Sequence, residues 1–232
     1  MIKKTIHYCW FGKGTKPEKV HKCINSWKKF CPDFEIIEWN EENFDININL
    51  YVKQAYEVKK YAFVSDYARF WILDKFGGVY LDTDVELIKP IYEFLQYNVF
   101  AGFEDELNIN PGLIIGAEKS HPFLKEILND YTGEKFLLED GKYNLYTIVQ
   151  RTTKTLKSHG ILLNGDSQLV GDIMIFSKEY FCPKDYISGY INITKNTVSI
   201  HHYDATWQSN WMKFKGIIKK IILKMVSRHE TV

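Results

Sequence analysis

Charge of one sign is what this 232-residue sequence most clearly lacks: 30 basic side chains stand against 29 acidic ones. A chain so balanced has no bulk field to draw a polyanion, which sets nucleic acid aside as a partner. Long apolar runs are missing too. No stretch approaches the ~18 residues that a membrane span requires, and Met1-Ile2-Lys3-Lys4 leads into a short alternating segment rather than a secretory leader. Together these absences predict a cytoplasmic protein. Cysteine is sparse, and Cys9, Cys23, Cys31 and Cys182 have spacings that suit neither a zinc site nor a disulfide framework, so buried reduced thiols are expected. Internal repeats and low-complexity linkers are absent, and a chain 45% hydrophobic and 16% aromatic can bury the core of one large domain.

What the sequence does contain is alternation. Thr5 to Trp10 is rich in β-formers and stops at Gly12 and Gly14; Pro17 then opens a helix whose Val20, Cys23, Ile24, Trp27 and Phe30 make one apolar face. A second strand is expected over 34–39, after a Pro-Asp turn. Apolar residues recur at helical spacing from Leu50 to Phe76, and Gly77-Gly78 supplies the stop. Further strands are expected at 79–82, 99–103, 113–117, 173–176 and 197–202, with helices opening at Pro122 and covering 146–157. This βαβ alternation predicts an α/β fold with a mainly parallel sheet flanked by helices.

The strand at 79–82 runs out on Asp82-Thr83-Asp84, two carboxylates one residue apart where an α/β sheet keeps its ligand crevice. Such a pair calls for a cation. On the helix before it, Ser65, Asp66 and Arg69 lie within one turn. Aimed at the same end of the sheet, Ser65, Asp66 and Arg69 can hold sugar hydroxyls, which need paired acceptors and donors; for Asp66 and Arg69 an ordinary intrahelical ion pair is the alternative. Near the other end, Val198 to His202 alternates as a strand does, so only one of His201 and His202 can face a site.

Four segments in order, Ile6-His-Tyr-Cys-Trp-Phe-Gly12, Ser65-Asp-x-x-Arg69, Gly77-Gly-x-Tyr-Leu-Asp-x-Asp84 and His201-His-x-x-x-x-Trp207, resemble glycosyltransferase family 32, the sugar transferases with a DXD motif. That family includes bacterial capsule and O-antigen transferases and yeast mannosyltransferases, and the motif order is similar to the glucosyltransferase domains of clostridial toxins. The resemblance spans residues 2–117 and returns at 197–207. It implies a GT-A (Rossmann-like) fold, Mn²⁺ or Mg²⁺, a nucleotide-sugar donor with UDP favoured, and transfer with retention of configuration to a glycan or lipid-linked acceptor in surface polysaccharide synthesis. Carried onto this chain, it implies that Asp84 ligates the metal, that Asp82 contacts the ribose and reaches the metal, and that Trp10 stacks on uracil. It favours His202 as the histidine ligand, five residues before Trp207.

Other roles stay open. Tyr80 shares a side with Asp82 by strand alternation and either touches the donor or packs in the core. Trp207 either closes over the diphosphate through its indole N–H or packs the tail. The resemblance assigns Asn110 to the donor sugar or the acceptor, with Asn108 competing. Front-side attack needs no side-chain nucleophile; a covalent intermediate would need a carboxylate, from Glu104 to Glu106 or Asp66. Where many relatives carry Thr-Gly-Pro, this chain has Asn144-Leu-Tyr-Thr-Ile-Val149, so the acceptor is not legible.

Residues 1–210 read as the catalytic domain and 211–232 as a basic amphipathic helix and tail. Phe214, Ile217, Ile218, Ile221, Ile222 and Met225 fall on one helical stripe, and Lys213, Lys215, Lys219, Lys220, Lys224 and Arg228 have no acid among them. Such a segment suits the anionic inner face of a membrane, or the domain's own core. Two rival functions share the Asp-x-Asp pattern: a catalytically silent nucleotide-sugar or glycan-binding module, and a haloacid-dehalogenase-like phosphatase. The phosphatase motif belongs near the N-terminus, whereas this one begins at residue 82.

Overall fold

All five residues of β1 (Thr5–Cys9) are buried, the signature of a strand covered on both faces by helices. It pairs in parallel with β2 (Glu35–Trp39) on one side and β3 (Gly78–Tyr80) on the other, His7 lying opposite both Ile37 and Tyr80. The computed structural model describes residues 1–203. Beyond β3 the sheet continues through β6 (Ile115–Ala117), β5 (Val99–Gly102), β8 (Ile173–Phe176) and β7 (Gln168–Val170), giving the order β2-β1-β3-β6-β5-β8-β7. Five of these seven strands run in one direction; β6 and β7 oppose them. The expected α/β fold with a mainly parallel sheet is the fold observed.

Helices cover both faces. α1 (Glu18–Phe30) buries Val20, Cys23, Ile24 and Trp27 on one side, as its spacing predicts; each aliphatic side chain so buried contributes about 1.5–3 kcal/mol. On the other side lie α2 (Leu50–Glu57), α3 (Tyr61–Phe76), α4 (Pro122–Asn129) and α5 (Ile148–Ser158). Strand alternation divides the layers: Val79 and Leu81 join the α1 layer, Tyr80 the α3 layer. The four cysteines are buried.

Several boundaries differ from the sequence expectation. The helical pattern from Leu50 to Phe76 is two helices. Lys59 takes φ 58°, its N–H bonds Tyr56 O at 2.9 Å, and Lys60 N–H reaches Ala55 O at 2.8 Å. These two bonds form a Schellman ending built on lysine instead of glycine, so the sequence carries no visible break. The strand expected at 197–202 contributes β9 (Ser199–His201), which leaves the main sheet and pairs antiparallel with β4 (Val85–Leu87), an element the sequence did not announce. A short α6 (Lys178–Phe181) precedes it. Among the described residues no helix is long and apolar enough to cross a membrane. Trp207 and the 211–232 segment lie outside the described residues.

Candidate active site

Gly77 and Gly78 turn the chain from α3 into β3 with φ of 65° and 105°. A side chain at Gly78 would meet Thr5 O at 2.8 Å, so only glycine lets β3 lie this close to β1. β3 ends at Tyr80, two residues earlier than its sequence suggests. Leu81 N–H still bonds His7 O at 3.1 Å, and Asp82 N–H then leaves the ladder for Gly112 O at 3.2 Å. Asp82 to Asp84 therefore form the turn between β3 and β4, closed by Val85 N–H to Asp82 O at 3.0 Å.

The helix α3 delivers Arg69 to that turn. Its guanidinium is 3% exposed, and Nη2 lies 2.9 Å from Asp66 Oδ1 and 3.2 Å from Asp82 Oδ1, while Nε–H reaches Ser65 O at 3.3 Å. The intrahelical ion pair and the site contact are thus one arrangement rather than alternatives. Burial pushes the Asp66 carboxyl up to about 6, against the pull of Arg69. Burial also raises Asp82, with Arg69 opposing and Asp84 reinforcing. Two carboxylates held above their ordinary range beside each other favour an added positive charge.

His201 supplies the third group. Its Nε2 lies 3.1 Å from Asp84 Oδ1, and Asp82, Asp84 and His201 each offer a ligand atom within 4.8 Å of the others. His202 turns the other way, its Nε2 2.8 Å from Glu86 Oε2. The expectation had favoured His202 from its distance to Trp207. Pairing sets the outcome instead: Val85 lies opposite His201, and His202 N–H bonds Asp84 O at 2.9 Å, so alternation along β9 sends one ring to each side. Burial disfavours the charged His201 ring, yet the neighbouring Asp84, Asp82 and Glu104 outweigh it and raise its pKa. Two carboxylates and an imidazole form a donor set that fits a divalent ion, the carboxylates suiting hard Mg²⁺ or Mn²⁺ and the imidazole favouring the transition metal.

The Asn110-Pro111-Gly112 turn closes the site opposite Arg69. Asn110 Oδ1 accepts from Gly112 N–H at 2.7 Å. A Cβ at Gly112 would stand 2.2 Å from Asp82 Oδ2, 2.9 Å from Asn110 Oδ1 and 3.0 Å from Arg69 Nη1. Glycine is required there for space, and Asn110 is thereby set beside Asp82 and Arg69. Its competitor Asn108 is engaged elsewhere, donating to Asp105 at 2.9 and 3.0 Å.

Not every expected residue reaches the site. Tyr80 is 1% exposed and lies beneath Arg69, whose guanidinium carbon is 4.8 Å from the ring centre. It supports Arg69 and has no free face for a ligand. Ser65 donates its hydroxyl to Tyr61 O at 3.1 Å. Trp10 ends β1 on the same sheet edge as Asp82, half-buried, its indole N–H bonded to Gly14 O at 2.7 Å and Lys16 Nζ 5.8 Å from its ring. Three contributors were missed. Gly112 carries no chemistry of its own. Tyr203 stacks edge-on against His201 at 4.4 Å, its hydroxyl 2.8 Å from Cys182 Sγ; the pairing of Cys182 with a distant tyrosine had no local signal. The N-terminus of α5 places Ile148 N–H 3.4 Å from Asp66 Oδ2.

Residues 17–101 match the model of the glycosyltransferase sugar-binding region containing the DXD motif. Inositol phosphoceramide mannosyltransferase 3 of Schizosaccharomyces pombe is 27% identical over 137 residues, covering 56% of this chain and 37% of the yeast protein. The chain spans less than half the length of the fission-yeast relatives it matches. Among solved structures, the PaToxG glycosyltransferase superposes with a TM-score of 0.52 at 18% identity, over 68% of this chain and 70% of that one. A glycosyltransferase involved in glycosylation of the major capsid of PBCV-1 gives 0.50 at 14% identity, over 91% and 98%. These two likenesses show the fold, which is GT-A.

Proposed function

We propose that this chain, whose residues 17–101 match the glycosyltransferase sugar-binding region containing the DXD motif, is a glycosyltransferase of that kind and moves a sugar from a nucleotide-sugar donor to a glycan or lipid-linked acceptor with the help of a divalent metal. The observation that carries this reading is the convergence of Asp82, Asp84 and His201 from elements far apart in sequence, with Arg69 joining Asp82 to Asp66. A bound dication neutralises charge developing on the diphosphate as the sugar–phosphate bond breaks. The chain's own groups hold and orient. Asp84 and His201 fix the cation end, Asp82 lies between it and Arg69, and Asp66 offers carboxylate oxygens to sugar hydroxyls under the control of Arg69. Asn110 is placed to meet the sugar or the acceptor. Trp10 provides an aromatic platform at the end of β1, where stacking on a base contributes about 1–3 kcal/mol.

Mn²⁺, a uridine nucleotide and retention of configuration are the finer parts of the proposal and follow the family resemblance. The fission-yeast relatives are named for a lipid substrate, which supports a lipid-linked acceptor; contact of residues 211–228 with an anionic membrane surface at the cytoplasmic face is proposed from their sequence pattern alone. The test is donor hydrolysis: the protein with Mn²⁺ and a panel of nucleotide-sugars should consume one donor slowly and lose that turnover in Asp84→Ala. Consumption of a GDP-sugar alone would overturn the uracil role of Trp10. Binding of a donor without turnover or transfer would favour the silent module. A phosphatase would release phosphate from monoesters, and no thermal shift with UDP and Mn²⁺ should then be seen.

A further inference from the structure

The segment Asn144 to Val149 leads into α5 and brings a backbone N–H to the carboxylate proposed to hold the sugar. Thr147 caps α5 with a reciprocal capping box with Gln150, and Ile148, the first helical residue, points its N–H at Asp66 Oδ2. What fixes that helix in place is Arg151, one turn further on. Arg151 is 1% exposed, deeper than Arg69. Its guanidinium carbon lies 4.1, 4.8 and 5.8 Å from the ring centres of Tyr131, Tyr146 and Tyr51. Nη1 donates to Asp130 O at 2.9 Å and pairs with the Asp130 carboxylate. Nη2 faces Glu134 Oε2 at 3.8 Å, beyond hydrogen-bond range, and Nε–H has no partner. Glu134 Oε2 also accepts from Asn144 Nδ2 at 2.6 Å, which ties the segment entering α5 to the same anchor.

A buried cation with two nitrogens lacking hydrogen bonds is a costly way to pack two helices, since burying unmatched polar groups opposes folding. Apolar residues would join α4 and α5 at lower cost. The placement has a second effect: Arg151 is one of the positive charges that draw the Asp66 carboxyl down against its burial, alongside Arg69 and the Ile148 N–H. We propose that Arg151 is a positioning residue for the sugar-binding carboxylate, holding the N-terminus of α5 and a fixed positive charge behind Asp66 so that its oxygens stay presented to the donor sugar.

This inference rests on the reading of Asp66 as the sugar-holding group, and the experiment separates the two. Affinities of the full chain with Mn²⁺ are measured by calorimetry for UDP and UDP-glucose, and for GDP and GDP-mannose, in wild type, Asp66→Asn, Arg151→Met, Arg151→Lys and Tyr131→Phe. In the pair that wild type binds, Arg151→Met should weaken the sugar nucleotide about tenfold, which corresponds to about 1.4 kcal/mol, and leave the nucleoside diphosphate within about twofold. Arg151→Lys, which keeps the charge, should recover part of the loss. A purely structural Arg151 would weaken both ligands alike, or neither, while lowering Tm, and either result overturns the proposal. If Arg151→Met does not fold, Arg151→Lys and Tyr131→Phe decide by the same split between sugar nucleotide and diphosphate. Loss of sugar-specific affinity in Asp66→Asn but not in Arg151→Met overturns the role of Arg151 alone. No loss in Asp66→Asn, or no binding of either pair by wild type, overturns the Asp66 reading and this inference with it.

Discussion

Two surfaces of the molecule are built on opposite principles. On one, α3, the β3–β4 turn and β9 lock Asp66, Arg69, Asp82, Asp84 and His201 into a nearly buried web of charge. On the other, the segment 133–147 and the loop 183–193 expose Leu138, Tyr143, Leu145, Tyr190 and Ile193. A charged web must be fixed in advance, because every misplaced charge in a low-dielectric site is expensive. An apolar surface tolerates movement and exchange of partner. We propose that the charged surface governs the donor and the exposed apolar surface the acceptor.

The comparison breaks first at the metal triad. Asp84→Ala should lower donor turnover about a thousandfold, equal to about 4 kcal/mol of transition-state stabilisation, and abolish the Mn²⁺-dependent thermal shift. Gly112→Ala follows, since its Cβ would displace Asp82 or Asn110; a misplacement of about 1 Å lowers rate about a hundredfold, which steady-state kinetics would show with Tm little changed. His201→Ala should weaken Mn²⁺ binding toward the upper end of the about 10–100-fold seen when even outer partners are removed. His202→Ala should stay within about threefold in the same titration, and equal effects of the two would refute the β9 register. Next comes pH. The Asp66 carboxyl, raised to about 6, is protonated below that value and accepts more weakly from sugar hydroxyls, having lost its charge and one acceptor oxygen. Sugar-nucleotide affinity should therefore fall about fivefold from pH 6 to pH 5, and Asp66→Asn should flatten the profile. The smallest effect belongs to the apolar surface: Leu138→Ser should alter stability by less than about 0.5 kcal/mol and leave donor hydrolysis unchanged while shifting the transfer rate to an acceptor.

Periodicity carried most of the architecture. β1, α1, β2, β5 and β8 fall within a residue or so of their expected places, because each pairs a regular apolar pattern with a glycine or proline boundary. Asp66, Arg69, Asp82 and Asp84 were legible because they are close in sequence and their spacing alone puts them on one turn and one strand end. What was not legible depends on distance along the chain. Choosing His201 over His202 requires the register of β9 on β4, and β4 is three residues long with no pattern of its own. Tyr80 looked available because alternation gives its side but not that Arg69 lies over it. The ending of α2 on Lys59 has no glycine to mark it. Gly112 and Arg151 act through what they leave room for or lean against, and neither effect is written locally.

The β4–β9 pair has a consequence for timing. The seven-stranded sheet is complete once β8 has formed at residue 176, but Asp84 has no histidine beside it until Ser199 to His201 returns across more than a hundred residues. During synthesis, a nascent chain can thus assemble its main sheet with only part of the proposed metal-ligand set. β9 would then act as a latch on chemistry rather than on folding, completing the proposed cation site after the scaffold that would use it already stands.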